Sequence, residues 1–141
     1  MNIVNPLESA LAQLKTNYDL IGSDVARDQP KVKAAFRTAS IKSFEYAYEL
    51  SIRLIRRRLE SSASTAQEIE GMDFKPLMRT AAEKGLVDDP VAWFLYREKR
   101  NITSHTYDET KAMDVVSVLP EFLQSAYLLL TALKAPVNAP G

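Results

Sequence analysis

The sequence contains no cysteine and a single histidine, and these shortages exclude several kinds of chemistry. Without cysteine the chain can form no disulfide, no thiolate metal ligand and no cysteine nucleophile, which suits a reducing compartment. One histidine and dispersed carboxylates do not form a zinc or two-metal constellation, so we expect no metal. The four glycines are scattered singly and form no phosphate-binding loop, so we expect no nucleotide cofactor.

Excess charge of one sign is also missing. Lysine and arginine together number 18, and aspartate and glutamate together also number 18, so the formal net charge is zero. A protein that holds long duplex nucleic acid usually carries a basic excess, whereas a local basic cleft for flexible RNA needs none. We find no apolar run near the roughly 20 residues that span a bilayer and no secretion signal in residues 1–8. We therefore expect a cytoplasmic protein without membrane contact.

The residues that are present indicate helices and no strand. Apolar residues recur at intervals of three and four, and the 141 residues fit a single domain. The pattern predicts five helices, which run from Asn5 to Ile21, Pro30 to about Glu60, Phe74 to about Lys84, from Pro90 onwards, and from Asp108 to about Leu133.

Several residues mark the ends of these helices. Asn5 and Glu8 can form a capping box, and Gly85 should end the third helix in a left-handed conformation. Pro120 removes a backbone donor and should kink the fifth helix. We expect residues 61–71 to form a loop and residues 135–141 to be disordered.

The most informative stretch spans residues 97–108 and surrounds the single histidine, His105, with polar side chains. Arg100 lies five positions before His105, about 140° away on an ideal helix, so the two would not share a face. Asn101 and His105, which are four positions apart, would share a face. For Arg100 and His105 to converge, the helix must end or distort near Thr103, or a second chain must supply one of them.

Arginine and histidine together suit RNA cleavage without a metal. Histidine titrates near neutral pH and can transfer protons, and arginine can stabilise the charge of a phosphorane. One histidine cannot be both acid and base in a single step, so two copies of His105 in a dimer cleft would complete the site. Asn101 could orient His105 or a phosphate oxygen.

Two segments resemble a known family. Arg100, His105 and Tyr107 match the R-x4-H-x-Y signature of HEPN ribonuclease toxins. The segment Phe44–Leu50, Phe-Glu-Tyr-Ala-Tyr-Glu-Leu, is similar to one in the branch called nucleotidyltransferase substrate-binding proteins, as is Gly85-Leu86-Val87 followed by Trp93. The resemblance covers roughly residues 7–133.

The resemblance implies an all-α, antiparallel up-and-down bundle of about five helices, with residues 1–141 as one HEPN-like domain. It implies a homodimer and a cognate minimal nucleotidyltransferase that acts as antitoxin. Arg100 and His105 would be catalytic in a metal-independent endoribonuclease, with Asn101 and Glu45 in support. Tyr107 would be the residue that the partner adenylylates (AMPylation) to silence the toxin. The alternative is a non-catalytic substrate- or nucleotide-binding subunit of the nucleotidyltransferase.

Each assignment has a structural alternative. His105 could cap a helix end, and Arg100 could pair with a carboxylate such as Glu45 or Asp108. Glu45 has the spacing of an ordinary ion pair with Lys42 or Arg53. The arginines at positions 53 and 56–58 would usually form a solvated face, with RNA or partner binding as the less common outcome. The aromatic residues Trp93, Phe94 and Tyr96 suit a core or a dimer interface, and Tyr107 does too.

Overall fold

Helices account for almost the whole of the chain that can be described. The computed structural model of the protein describes residues 5–63 and 66–135. Within them lie seven α-helices and one short 3-10 helix, and no strand. The α-helices are α1 (Asn5–Ile21), α2 (Pro30–Ser62), α3 (Ala66–Glu70), α4 (Phe74–Glu83), α5 (Pro90–Asn101), α6 (Glu109–Val116) and α7 (Leu119–Lys134), and the 3-10 helix is Thr103–His105. The predicted all-α, antiparallel up-and-down bundle is confirmed.

Helix α2 is the central element of the bundle. Its 33 residues extend about 50 Å, and it packs against α1 and against all the later helices. Helix α1 buries Leu7, Leu11 and Leu14. Further along, Asn17 of α1 donates a hydrogen bond to the hydroxyl of Ser43 on α2 over 2.8 Å. At the start of α1, Glu8 forms an ion pair with Lys134 of α7 at 2.7 Å, which joins the first and last helices.

The segment predicted as a loop after α2 is partly helical. Helix α2 continues to Ser62, and residues 66–70 form α3, whose Ile69 is buried in the core. The guanidinium of Arg56 donates to the backbone carbonyls of Ile69 and Met72, at 2.9 and 3.3 Å. Arg58 donates to the carbonyl of Leu133 over 2.6 Å at the end of α7. Arg56 therefore ties the end of α3 to α2, and Arg58 ties the end of α7 to it, which corrects their assignment to a solvated face.

The predicted signals around α4 and α5 act as expected. Gly85 has a φ of +79°, the left-handed conformation that glycine adopts without strain, and it ends the α4 region. Asp89 caps α5 by accepting a hydrogen bond from the backbone N–H of Val91 over 3.0 Å. Pro90 then occupies the first turn, where its missing N–H costs nothing.

The predicted C-terminal helix is divided, so the expected kink is confirmed. Asp108 caps α6 and accepts hydrogen bonds from the backbone N–H groups of Thr110 and Lys111. The helix breaks at Ser117 and Val118, just before Pro120 in the first turn of α7. The combined stretch Glu109–Lys134 is long and apolar enough to cross a membrane by length and composition alone, a test that a core helix also passes. That finding corrects the expectation that no such stretch exists.

One hydrophobic core includes residues from all seven helices. At its centre the Phe122 ring meets Phe44, Trp93 and Tyr96 edge to face, with centroids 5.0, 5.8 and 5.3 Å away. Trp93 and Tyr96 are fully buried, which places both in the core. The Trp93 indole N–H is a buried donor without a partner among the described residues. The predicted disorder of the tail covers residues 135–141, of which residues 136–141 lie outside the described residues.

Candidate functional site

The candidate site is built where α5 ends. Arg100 and Asn101 occupy its last turn, and the chain leaves the α-helix at Ile102. A single 3-10 turn follows and ends at His105. The α-helix therefore ends just before Thr103, which is one of the two conditions that the sequence set for Arg100 and His105 to converge. Within the part of the chain that the structure describes, however, no hydrogen bond or ion pair joins these two side chains.

The guanidinium of Arg100 is held on two sides by its own chain. Its Nε donates to Oε1 of Glu49 on α2 over 2.9 Å, and one terminal nitrogen donates to the hydroxyl of Thr103 over 3.0 Å. The Thr103 hydroxyl in turn donates to the backbone carbonyl of Arg100 over 2.8 Å. Because Thr103 is 5 % exposed, the two bonds that involve its hydroxyl are partly sheltered from water, whereas the bond to Glu49 is more open. The second terminal nitrogen has no hydrogen bond to the described residues and can donate to a phosphate oxygen.

The structure pairs Arg100 more closely with Glu49 than with the predicted Glu45. Glu45 Oε2 lies 3.7 Å from the Arg100 guanidinium, and Glu45 Oε1 lies 3.6 Å from Lys42 Nζ. Glu45 therefore contacts both Arg100 and Lys42, two of the pairings that the sequence suggested. Glu49 sits one helical turn further along α2, on the same face. Its pairing with Arg100 was not predicted, because no local spacing links positions 49 and 100.

His105 and Tyr107 lie on the surface beyond Arg100. Their ring centroids are 6.2 Å apart with the planes inclined at 71°. The backbone N–H of His105 donates to Ile102, and its carbonyl accepts the N–H of Asp108 over 3.1 Å, which fixes the turn. Tyr107 is 87 % exposed, so its hydroxyl is open to an enzyme.

Two cavities open beside the motif, and α2 contributes to both. One, of about 300 Å³, is lined by Arg100 and Asn101 together with Tyr48, Glu49, Ile52, Arg56, Phe74 and Arg97. The other, of about 370 Å³, lies beside Tyr107 and Thr106 and includes Lys31 and Arg37 of α2. In one chain, Arg100 and Tyr107 therefore face different cavities.

Burial changes the titration of a tyrosine in the first cavity. Burial raises the pKa of Tyr48 well above its ordinary value, against the opposing charge of Arg97. The Tyr48 hydroxyl, like any tyrosine protonated at physiological pH, therefore keeps its proton at more alkaline pH as well and can donate a hydrogen bond. Among the described residues, no group of three histidine, aspartate or glutamate side chains is placed to hold a metal ion.

Comparison with known proteins identifies the family. The family model described as nucleotidyltransferase substrate binding protein like matches residues 3–135. The chain belongs to this family. The family predicted from Phe44–Leu50 and the R-x4-H-x-Y motif is thereby confirmed.

Relatives of this nucleotidyltransferase substrate-binding-like chain agree in sequence and in fold. A Haemophilus influenzae protein named probable ribonuclease HepT is 41% identical over 95 residues, which cover 67% of this chain and 65% of that protein. This chain thus spans about two thirds of that relative's length. A solved Haemophilus influenzae structure, described as the fold of a substrate binding domain of a nucleotidyltransferase, is 34% identical with a TM-score of 0.87. The similarity covers 94% of this chain and 99% of that one.

A more distant solved structure extends the same comparison. A protein from Thermus thermophilus is 27% identical, with a TM-score of 0.68 over 92% of this chain and 99% of that chain. The helical arrangement described above is therefore shared with both solved structures.

Proposed function

We propose that this protein is the ribonuclease toxin of a toxin–antitoxin pair and cleaves RNA in the cytoplasm without a metal. The observation that carries the proposal is the position of the Arg100 guanidinium, at the start of an intact Arg-x4-His motif. Glu49 and Thr103 hold this guanidinium by hydrogen bonds, and one terminal nitrogen remains to bind a phosphate. The name of the relative, probable ribonuclease, supports the same activity. On this proposal residues 1–141 form a single HEPN-like domain.

The proposed reaction uses the RNA itself as the nucleophile. Neutral His105 takes the proton of a 2′-hydroxyl, whose oxygen attacks the adjacent phosphorus. The bond from phosphorus to the 5′-oxygen breaks, and a protonated histidine gives that oxygen its proton. The products are a 2′,3′-cyclic phosphate and a free 5′-hydroxyl. Arg100 stabilises the negative charge that develops on the phosphorane oxygens.

A homodimer supplies the second histidine. The sequence contains one histidine, which cannot be proton acceptor and proton donor in the same step. His105 is exposed at the end of a 3-10 turn, where a second copy can approach it. Two copies of Arg100 and His105 would then line one cleft, with Asn101 orienting the phosphate or the imidazole and Glu45 supporting Arg100.

Tyr107 is the proposed point of control by a cognate minimal nucleotidyltransferase. The Tyr107 oxygen attacks the α-phosphorus of ATP, pyrophosphate leaves, and the tyrosine proton passes to the partner's base. The new phosphodiester adds bulk and negative charge two residues from His105, and so repels an RNA phosphate. The 87 % exposure of Tyr107 suits such a modification.

A non-catalytic role is the second candidate. The family description and the description of the solved Haemophilus influenzae relative both refer to substrate binding for a nucleotidyltransferase. The cavity beside Arg100, about 300 Å³, is at the lower end of the size range of small-ligand sites. In this case the chain would hold a nucleotide or another substrate for its partner and cut nothing.

A cleavage assay separates the two candidates. Purified wild-type protein and the His105→Ala variant are incubated with total RNA in EDTA. We expect the wild type to cut and the variant to be inactive, with both folded by circular dichroism. Arg100→Ala should behave as His105→Ala does. If the wild type and His105→Ala cut equally, or neither cuts, the proposed catalysis is wrong and the substrate-binding role takes its place.

A further inference from the structure

Cations and aromatic rings alternate on the surface formed by α4 and α5. The Nζ of Lys75 and the guanidinium carbon of Arg79 lie 5.3 and 5.6 Å from the centroid of the Phe94 ring. The Phe94 ring lies 6.2 Å from Phe74, and the guanidinium of Arg97 lies 4.5 Å from the Phe74 centroid. We call these five residues the cation–aromatic strip.

The three cations of the strip are available to a ligand. Lys75, Arg79 and Arg97 are exposed, and none of them forms an ion pair or a hydrogen bond within residues 5–63 and 66–135. Arg56 and Arg58 differ, because both donate to backbone carbonyls. In a chain of zero net charge, three such cations on one surface form a local basic patch.

The strip is continuous with the candidate active site. Phe74 and Arg97 line the same cavity of about 300 Å³ as Arg100 and Asn101. The hydroxyl-bearing ring of Tyr48 lines it too. A ligand that fills this cavity can therefore contact Arg100, Arg97 and Phe74 together.

We propose that the cation–aromatic strip binds the single-stranded RNA that flanks the phosphodiester held by Arg100. This inference rests on the proposed ribonuclease function and adds the path of its substrate. Arginine planes and aromatic rings stack on nucleobases of any sequence, and exposed cations neutralise the phosphates between them. An acidic protein surface would use the cations but would gain little from the ring faces, so RNA fits the strip better.

Binding of an RNA that cannot be cut tests the strip apart from catalysis. The probe is a fluorescent single-stranded 2′-O-methyl oligonucleotide, which lacks the nucleophilic hydroxyl, and binding is followed by anisotropy at several salt concentrations. The test variant is Arg79→Gln/Arg97→Gln. The control, Lys15→Gln/Arg27→Gln, removes two exposed cations that form ion pairs with Asp19 and Asp24 near the end of α1.

The strip variant should bind on the order of tenfold more weakly than the control at ~0.1 M salt. The slope of log affinity against log salt should fall by about 1.4, the value for two phosphate contacts on a single strand. Phe74→Leu keeps the charge and most of the apolar volume but removes the stacking face. It should weaken binding about fivefold or more with little change in salt dependence.

The outcomes separate the strip from the proposed function. If the wild type cuts RNA while the strip variant binds and cuts as the control does, the strip inference is wrong and the nuclease stands. If the wild type binds the probe through the strip but cuts nothing, RNA binding by the strip holds, while the nuclease and the strip's role as its substrate path both fail. If the strip variant loses its complex with the nucleotidyltransferase but binds RNA as the control does, the surface belongs to the protein partner and the inference is wrong. The inference is also wrong if the wild type does not bind the RNA probe at all.

Discussion

Arg100 of α5 and Glu49 of α2 are joined by a hydrogen bond of 2.9 Å between the guanidinium Nε and a carboxylate oxygen. The pair is partly open to solvent, with 31 and 53 % of the two side chains exposed. An ion pair of that exposure contributes little to stability. Its main effect is geometric, because it sets the plane in which the remaining nitrogens of Arg100 face the cavity.

Replacing Glu49 should therefore affect activity more than stability. We expect Glu49→Ala to lower the rate of RNA cleavage by about 10- to 100-fold, because the guanidinium loses the acceptor that orients it. The free energy of unfolding should change by no more than about 1 kcal/mol. Single-turnover cleavage and urea denaturation measure the two effects.

Two further variants control for charge and position. Glu49→Gln keeps an acceptor for the Arg100 Nε and should restore much of the rate. Glu45→Ala removes a carboxylate 3.7 Å from the same guanidinium and should cost less than Glu49→Ala. Equal losses at positions 45 and 49 would show that the carboxylates act through general charge and not by orienting Arg100.

The sequence predicted those features that depend on local spacing. Asp108 caps a helix through its own carboxylate, Gly85 has positive φ, and the C-terminal helix breaks beside Pro120, and each of these depends on the chemistry of one residue. Helix α3 was missed because its five residues include a single buried one, Ile69, and so show no periodicity. The pairing of Glu49 with Arg100 was missed because it depends on how two distant helices pack.

Tyr107 offers a direct test of regulation. Incubation with the cognate nucleotidyltransferase and ATP should add adenylyl mass to the wild type and abolish RNA cleavage. Tyr107→Phe should gain no mass and stay active, because it lacks the accepting oxygen. Intact-protein mass spectrometry with a parallel cleavage assay provides the measurement.

The matched control for Tyr107 is Tyr46→Phe, which removes another exposed tyrosine hydroxyl, 57 % exposed on α2. This variant should be modified and silenced as the wild type is. Adenylylation of Tyr107→Phe together with loss of its cleavage would move the modification site to another residue.

The aromatic centre of the core should determine stability. Phe122 is fully buried and meets three other aromatic rings edge to face. We expect Phe122→Ala to lower the free energy of unfolding by about 3–5 kcal/mol. Tyr127→Ala, on the exposed side of the same helix, should cost far less. Urea denaturation is followed by circular dichroism and by Trp93 fluorescence. A single domain should unfold in one transition at the same urea concentration by both signals. Separate transitions would contradict the single-domain proposal.

Stability at alkaline pH should depend on Tyr96. Its hydroxyl contacts the Ser125 hydroxyl at 2.6 Å and donates to the Glu121 carbonyl over 3.1 Å, and burial raises its pKa to about 12. Because the folded pKa lies above the unfolded value of about 10, the stabilisation is complete below pH 10 and is lost between about pH 10 and 12.

Tyr96→Phe should be less stable than the wild type at pH 8, by about 1–2 kcal/mol for the lost hydrogen bonds. The difference in the free energy of unfolding between the two proteins should be smaller at pH 11. At that pH the wild type loses the stabilisation that comes from its protonated Tyr96, which the phenylalanine variant never had. Urea denaturation of both proteins at the two pH values measures it. Leu59→Ala, which removes buried packing near the far end of α2 and no titrating group, should differ from the wild type equally at both pH values. A difference for Tyr96→Phe that stays constant with pH would show that the Tyr96 hydroxyl does not resist ionisation in the folded protein.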